Sequence, residues 1–373
     1  MVVYGSGYVH LRYYTQGWSD NFNDNSMDTA KWEKLQVNGA TASETTGQLA
    51  VTVPSGTGWA QAGYVTKYAY NVKDCKTTIT VSDFGDLDEM TLQICTTKTT
   101  SSDPFSENNW YRILKARYDS KVYVQNKING VLSTKVATNW ASATGELTID
   151  ICDGSIALYE NGNMRYAEPY ALSSYNCYIY AFTSTLKSGA SRTDKFDNFA
   201  LAPTTSFWDY FDDASNYYGW TVDSGSWQVT SGQLRSTAYN SHIHVNTAFA
   251  TSRTVKTDIQ TLSHTGDPWY VPWLYVKEQD GNNNVYALIH TTGTVELSMF
   301  YQGQQTMWFA SSSLDPYYTH ALTVSIIGTN AKVWVDGTLY LDVYNSNFAN
   351  LAGYVGLYTP SSTGAFDNVI VLD

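Results

Sequence analysis

The sequence predicts an all-β protein built from two tandem antiparallel β-sandwich domains. Three observations lead to this prediction: apolar and polar residues alternate, hairpin-turn dipeptides recur, and an internal repeat covers most of the 373 residues. The length also exceeds that of a typical single core, which favours two domains. We find no long segment with the 3.6-residue apolar period of a helix.

The alternation is clearest in the second half of the chain. VYALIH (285–290), TVELSMF (294–300) and AKVWVDG (331–337) have the period of two that is typical of strands. Asn-Gly and Asp-Gly pairs separate such segments, for example at 129–130 and 336–337. These pairs tolerate positive φ and mark hairpin turns, so several short strands in each half predict an antiparallel sandwich.

The repeat divides the chain into two halves with the same order of motifs. Each half begins with a Phe, an acidic or amide cluster and a Trp, then has a Gly-Gln-Leu turn, and closes with Phe-Asp-Asn before a strand. The closing segments are KFDNFAL at 195–201 and AFDNVIV at 365–371. We therefore predict a duplicated domain. The predicted parts are an N-terminal strand (1–18), interpreted as the remnant of an upstream domain, a first sandwich (19–202), a short linker (202–206) and a second sandwich (207–373).

Composition limits the possible partners. The chain is 43% hydrophobic and 15% charged, as expected for a folded protein, and its formal net charge is −12. This charge repels nucleic acid, and no cluster of Lys and Arg offsets it locally. Neither a membrane-spanning apolar stretch nor a signal peptide is visible. A secreted protein, extracellular or at the cell surface, remains the expected class, with its export signal outside this sequence.

Several motifs resemble those of the concanavalin A-like, laminin-G-like jelly-roll family. They are the Trp and Gly-Gln-Leu near the start of the second half, followed by DGTLYLDV (336–343), GYVGLYT (353–359) and FDNVIV (366–371). The resemblance covers residues 19–373 and is clearer in the second half. It implies that the last strand lies beside the first, and that a concave sheet lined by aromatic residues binds glycans. Because this fold hosts lectins, adhesins, hydrolases and lyases, it does not determine a function.

The resemblance also implies a structural calcium ion near the domain termini. Strand alternation directs Phe196 and Phe366 into the core and the following aspartates away from it. Oxygen ligands from both chain ends would suit Ca²⁺. The alternative is that these side chains cap turns. The candidate ligands are Asp212, Asp213 and Asp367 in the second half and Asn23, Asp24 and Asp197 in the first.

Four cysteines lie in the first half, and none forms a Cys-x-x-Cys pair, which argues against zinc. Two disulfides would suit an exported protein, and four buried thiols are the alternative. Strand parity favours pairing Cys75 with Cys177 and Cys95 with Cys152, which is one of three possible connectivities.

Two groups of residues are candidates for catalysis. Glycoside hydrolysis needs two carboxylates, but EQDGNN (278–283) has Asn283 where a second Glu is required and lies on a turn. His242 and His244 share one strand face and could begin a metal site, or supply the base of a polysaccharide lyase together with Tyr286. An exposed histidine pair without chemistry is the simpler interpretation, and we favour it.

Aromatic residues provide the remaining candidates. GDPWYVPW (266–273) concentrates Trp269, Tyr270 and Trp273 beside two prolines, which can hold an aromatic ring as a fixed platform. Trp110, Tyr111 and Trp308 are further candidates, although packing in the core is the alternative for each. Sugar rings stack on such side chains.

The predicted function is non-catalytic binding of a polysaccharide or other glycan by a lectin-like tandem module. One alternative is a polysaccharide lyase or glycoside hydrolase that uses the concave face of the second domain. Another is a structural subunit of an extracellular filament, sheath or capsid. The free N-terminal strand motivates this second alternative, because such a strand can complete the sheet of a neighbouring copy.

Overall fold

The structure is a computed structural model, and it describes residues 2–4, 8–10, 17–204, 206–212, 217 and 219–373. Near the N-terminus, β1 (Val2–Tyr4) and β2 (Tyr8–His10) pair antiparallel as a short hairpin. The chain divides into two compact units: Tyr13–Thr205, called here the first unit, and Ser206–Asp373 together with Met1–Arg12, called here the second unit. Within the described residues, no helix is long and apolar enough to cross a membrane.

The first unit is a sandwich of two antiparallel sheets. Its front sheet has the order β13-β12-β11-β10-β17-β7-β4, with β8 paired to β17, and its back sheet has the order β16-β15-β14-β9-β18-β6-β5, with β3 paired to β18. A 3₁₀ turn, Pro104–Ser106, precedes β11. The strands are β3 (Trp18–Asp20), β4 (Trp32–Val37), β5 (Thr41–Thr45), β6 (Gln48–Val53), β7 (Trp59–Thr66), β8 (Tyr70–Asn71), β9 (Cys75–Asp83), β10 (Glu89–Cys95), β11 (Trp110–Ala116), β12 (Lys121–Ile128), β13 (Val131–Asn139), β14 (Gly145–Cys152), β15 (Ser155–Glu160), β16 (Asn163–Pro169), β17 (Asn176–Leu186) and β18 (Arg192–Pro203).

The second unit is also a two-sheet sandwich. Its front sheet has the order β20-β23-β32-β25-β26-β27-β28, and its back sheet has the order β21-β22-β33-β24-β29-β30-β31, with β19 paired to β33. A 3₁₀ turn, Ser346–Asn350, precedes β32. The strands are β19 (Phe207–Asp209), β20 (Trp220–Ser224), β21 (Trp227–Thr230), β22 (Gln233–Ser236), β23 (Ser241–Val245), β24 (Arg253–His264), β25 (Trp273–Asp280), β26 (Asn283–Ile289), β27 (Val295–Tyr301), β28 (Gln304–Ala310), β29 (His320–Ile327), β30 (Asn330–Val335), β31 (Thr338–Tyr344), β32 (Tyr354–Thr359) and β33 (Ser362–Leu372).

The two units have the same topology. When β4 is matched to β20 and β18 to β33, the strand orders of both front sheets agree, and so do those of both back sheets. The predicted fold class, two tandem antiparallel β-sandwiches, is confirmed. In each unit the inward side chains of both sheets form one apolar core, which is why the strands alternate along the sequence.

The repeated Phe-Asp-Asn has a structural cause. Phe196 and Phe366 are fully buried in their respective cores, as predicted. The asparagines that follow, Asn198 and Asn368, have φ near +50°, a left-handed conformation that Asn tolerates better than most residues. In each unit the aspartate accepts a hydrogen bond from the backbone amide of this asparagine, at 2.7 Å. The hydrogen-bond register between the last strand and its neighbour shifts at both motifs. The motif therefore encodes a bulge in the last strand.

The predicted disulfides are absent, and all four cysteines, which lie in the described part of the chain, are buried thiols. Cys95 packs on the outer face of the front sheet, whereas Cys152 alternates with core residues of the back sheet and therefore lies on its outer face. The whole sandwich separates these two residues. Cys75 and Cys177 share the core, but their sulfurs contact backbone carbonyls of Lys73 and Ser174, respectively. Strand parity cannot distinguish the inner face of a sheet from the outer one, which explains the incorrect pairing of Cys95 with Cys152.

Candidate functional site

A groove of about 590 Å³ lies on the outer face of the second unit's front sheet. Its walls are mostly apolar and aromatic, and a few polar side chains lie among them. Such a combination is typical of ligand sites. The lining residues are Pro268, Trp269, Trp273, Tyr286, Leu288, His290, Thr292, Glu296, Phe300, Gln305, Met307 and Phe309.

Strand alternation positions most of this lining. Side chains of β26, β27 and β28 point alternately into the core and out of the sandwich, and the groove takes the outward set. The connection 265–272 supplies the remaining wall. Its backbone is fixed by hydrogen bonds from the Tyr270 amide to the Asp267 carbonyl and from the Thr291 amide to the Pro268 carbonyl, each 3.0 Å. The wall therefore belongs to an anchored loop beside a sheet.

An aromatic platform forms one side of the groove. The rings of Trp273 and Tyr286 are stacked with centroids 4.2 Å apart and planes within 6°. The Trp273 indole donates a hydrogen bond to the Trp269 carbonyl at 3.0 Å, which ties the platform to the loop. Trp269 itself is 43% exposed, a large fraction for this residue type. Aromatic surface is thus held in place and open to solvent.

A polar network lies at the base of the groove. The nearly buried Glu296 accepts hydrogen bonds through one oxygen from His290 at 2.6 Å and through the other from Ser298 at 2.7 Å. Gln305 donates to the Tyr286 hydroxyl at 3.2 Å, and burial raises the pKa of that tyrosine. Because a carboxylate oxygen accepts more than one hydrogen bond, Glu296 keeps capacity for a ligand.

The predicted histidine pair lies on the same face, beyond the platform. His242 is 3.1 Å from a Glu278 carboxylate oxygen, and His244 is 2.7 Å from one of Asp223. Gly356 allows this close packing, since a Cβ at that position would lie 2.7 Å from the Glu278 carboxylate. The pair is therefore engaged with carboxylates. Within the described residues, no group of three or more His, Cys, Asp or Glu could hold a metal ion.

Two tyrosine rings lie between the histidine pair and the aromatic platform. Trp273 lies 5.4 Å from Tyr358 and 6.1 Å from Tyr275, and both tyrosines lie 5.6 Å from His242. Burial raises the pKa of Tyr275, and the charge of Glu278 adds to this effect. The outer face thus carries a continuous aromatic surface with carboxylates at its base and at one end.

The structure brings some predicted ligand-binding residues together and separates others. Trp269 and Trp273 line the groove, and Tyr270 stands beside it with its ring 6.0 Å from that of Trp269. Trp308 points the other way, into the core, where it packs 5.3 Å from Phe348. The prediction therefore assigned Trp308 to the wrong face of β28.

The prediction for Trp110 and Tyr111 in the first unit is also corrected. Tyr111 is buried in the core, and Trp110 is 1% exposed under the connection 96–109. Phe105 of that connection lies 6.3 Å from Trp110, so no ring face is free to stack on a sugar.

The predicted calcium ligands are placed as follows. Asp367 is partly buried, and burial together with the charges of Asp258, Asp212 and Asp209 raises its pKa to about 6. Asp212 is exposed, and Asp213 lies outside the described residues. In the first unit, Asp24 accepts a hydrogen bond from the Ser26 amide, and the Asn23 amide donates to Asn21. These local turns match the capping alternative, while calcium stays a prediction.

The sequence interpretation missed several groove residues: His290, Glu296, Phe300, Gln305, Met307 and Phe309. Parity within TVELSMF and QQTMWFA could have found the last five, once Leu297 and Trp308 are assigned to the core, and parity within VYALIH could have placed His290 on the face of Tyr286. The sequence predicts Tyr286 only as a residue of the lyase alternative, and in the structure its ring stacks on Trp273.

Comparison with known proteins gives likeness in fold. No family model matches the chain, and no curated protein matches it. Among solved structures, the carbohydrate-binding module CBM66 from Bacillus subtilis is 23% identical with a TM-score of 0.36, and the match covers 41% of this chain and 95% of that one. A Bacillus licheniformis β-glucanase is 13% identical with a TM-score of 0.38, covering 50% and 98% of the two chains.

An apo Crh5 transglycosylase is also 13% identical, with a TM-score of 0.38 and coverage of 46% of this chain and 85% of that one. These three matches each span half of this chain or slightly less. At such TM-scores they carry no argument about function, so the proposal below rests on the groove.

Proposed function

We propose that the protein is a non-catalytic carbohydrate-binding module whose second unit binds a polysaccharide in the groove. The observation that carries this proposal is the stacked Trp273–Tyr286 platform, which lies beside the polar base of an open groove. A sugar ring has an apolar C–H face and a rim of hydroxyls, so it needs both kinds of surface. Aromatic rings with an anchored backbone supply the first at little cost in conformational entropy.

The polar side chains suit hydroxyl recognition. Glu296 accepts hydrogen bonds, while Gln305 and Thr292 can both donate and accept them. Glu296 and Gln305 face the groove from the neighbouring strands β27 and β28, and Thr292 faces it from the turn before β27, so one ligand could contact several. An extended polymer could continue from the platform across Tyr275 and Tyr358.

The chemistry of the lining supports binding without hydrolysis. Glycoside hydrolysis commonly uses two carboxylates that flank the bond to be broken. Among the described residues that line the groove, Glu296 is the one carboxylate, and its two oxygens are engaged by His290 and Ser298. A lyase based on His242, His244 and Tyr286 remains the alternative.

On the basis of the resemblance, we also propose a structural calcium ion and an extracellular or cell-surface location. Chelation should then lower the melting temperature measured by calorimetry, and adding Ca²⁺ back should restore it. An unchanged melting temperature would argue against a stabilising ion.

A glycan array followed by calorimetric titration tests the proposed function. Trp269→Ala should weaken binding of the best ligand by about tenfold, since a stacked aromatic residue contributes about 0.5–1.5 kcal/mol beyond the apolar area that it buries. Trp59→Ala is the matched control, because Trp59 is 50% exposed in the first unit. The proposal fails if no glycan binds, or if both variants bind as the parent protein does.

A product assay separates binding from catalysis. Incubation with each bound polysaccharide should release neither new reducing ends nor unsaturated products. Turnover that disappears in His242→Ala would instead establish the lyase alternative.

A further inference from the structure

We infer that the groove selects glycans that carry protonated amino groups over N-acetylated or acidic ones. This inference rests on the proposed function and adds the chemical class of the ligand. The observation behind it is the charge of the outer face of the second unit's front sheet. Among the described residues that line the groove, none is a lysine or arginine, and Glu296 lies at the base.

The carboxylates continue along the ring surface. Glu278 and Asp223 lie beyond the platform, where they hold His242 and His244. Together with Glu296, they place three carboxylates along this surface, and each lies within hydrogen-bond distance of a histidine, His242, His244 or His290.

The two nearby basic side chains point into the core. Lys277, on β25, donates to the Phe348 carbonyl at 2.7 Å, and burial lowers its pKa to about 7. Arg253 is fully buried and donates to the Gly353 carbonyl at 2.8 Å. Neither reaches the groove, so an acidic sugar would find no counter-charge there. Burying an unpaired anion beside a carboxylate is costly.

An ammonium group fits the same surface well. Aromatic faces attract cations, and a nearby carboxylate adds a charge-assisted hydrogen bond. Glu296 lines the same groove as Trp269 and Trp273, so one ligand can meet both features. Since Glu296 is largely shielded from solvent, salt screens its interaction with a bound amine less than it would at an open surface.

Titration calorimetry with three hexasaccharides tests this inference. They are the hexamers of glucosamine, of N-acetylglucosamine and of a uronic acid, each measured at a pH where the amino groups of the first are protonated. We expect the glucosamine hexamer to bind about tenfold more tightly than the acetylated one, and the acidic hexamer most weakly. Glu296→Gln should reduce the ratio between the first two towards one, and Glu278→Gln should reduce it in part.

Asp86→Asn is the matched control, since it removes one exposed carboxylate from the first unit and should leave the ratio unchanged. Trp269→Ala should weaken all binding, which separates groove binding from attraction by the net charge of −12. A ratio of one or less in the parent protein, or a ratio unaffected by both glutamate substitutions, would overturn the inference while leaving the proposed function intact. If none of the hexamers binds and the array is also negative, the proposed function itself fails.

Discussion

The outer faces of the two front sheets differ far more than the sheets themselves. In the second unit, β25 and β26 are joined by residues 281–282 alone, and the outer face of their sheet carries the open groove. In the first unit, the equivalent strands β10 and β11 are joined by 96–109, which folds back over the sheet. Phe105 of this connection packs 3.5 Å from the Arg112 guanidinium, so the chain itself fills the corresponding surface.

Hydrogen-bond register identifies the substitutions that accompany this change. Trp273 pairs with Leu288 in the second unit, as Thr91 pairs with Leu114 in the first. By the same register, Tyr286 corresponds to Arg112. The first unit therefore lacks both members of the platform, and its covering connection takes their place. The two units share their strand order but differ on this outer face, so we expect one glycan site per chain.

The largest effect should come from the covered face. Trp110→Ala removes a side chain that is 1% exposed, and it should lower the free energy of unfolding of the first unit by about 3–5 kcal/mol. Calorimetry should show the transition of one unit shifted downward. Glycan binding by the folded protein should be unchanged. Loss of binding with an intact second transition would show that the first unit contributes to the site.

The reciprocal exchange tests the open face. Trp273→Thr places the first unit's residue in the platform, and it should weaken glycan binding by about tenfold to a hundredfold. Thr91→Trp, the matched exchange, should create no binding because the connection 96–109 covers that position. Comparable affinity in the Trp273→Thr variant would mean that the ligand binds elsewhere on the molecule.

Particular residues show how far the sequence could predict this comparison. Phe196 and Phe366 were assigned correctly to the core, because the repeat aligns them and alternation fixes their faces. Trp308 was not, since Met307 and Phe309 are also apolar and parity alone leaves the choice of face open. The pattern of the strand does not determine the burial of Trp110. It is buried because Phe105, in the connection 96–109, packs against it.

The smallest effect concerns a buried carboxyl group on β5 of the first unit, which the second unit lacks at the matching position on β21. Glu44, in SETTGQL, corresponds to the buried Val229 in VTSGQL. Glu44 is 8% exposed, and its carboxyl group lies near Asp24 and the Tyr64 hydroxyl. Burial and then the neighbouring Asp24 and Asp20 raise its pKa to about 7.

Because the folded state holds this proton more tightly than the unfolded chain, the free energy of unfolding should fall as pH rises from about 4.5 to about 7. Glu44→Gln should remove this slope and stabilise the first unit at neutral pH by about 1–2 kcal/mol. Glu44→Val, which copies the second unit, should stabilise it at least as much. Calorimetric melting across this pH range measures both effects. Destabilisation by both variants would contradict the expectation and would indicate that the carboxylate has a partner, such as the proposed calcium ion, in solution.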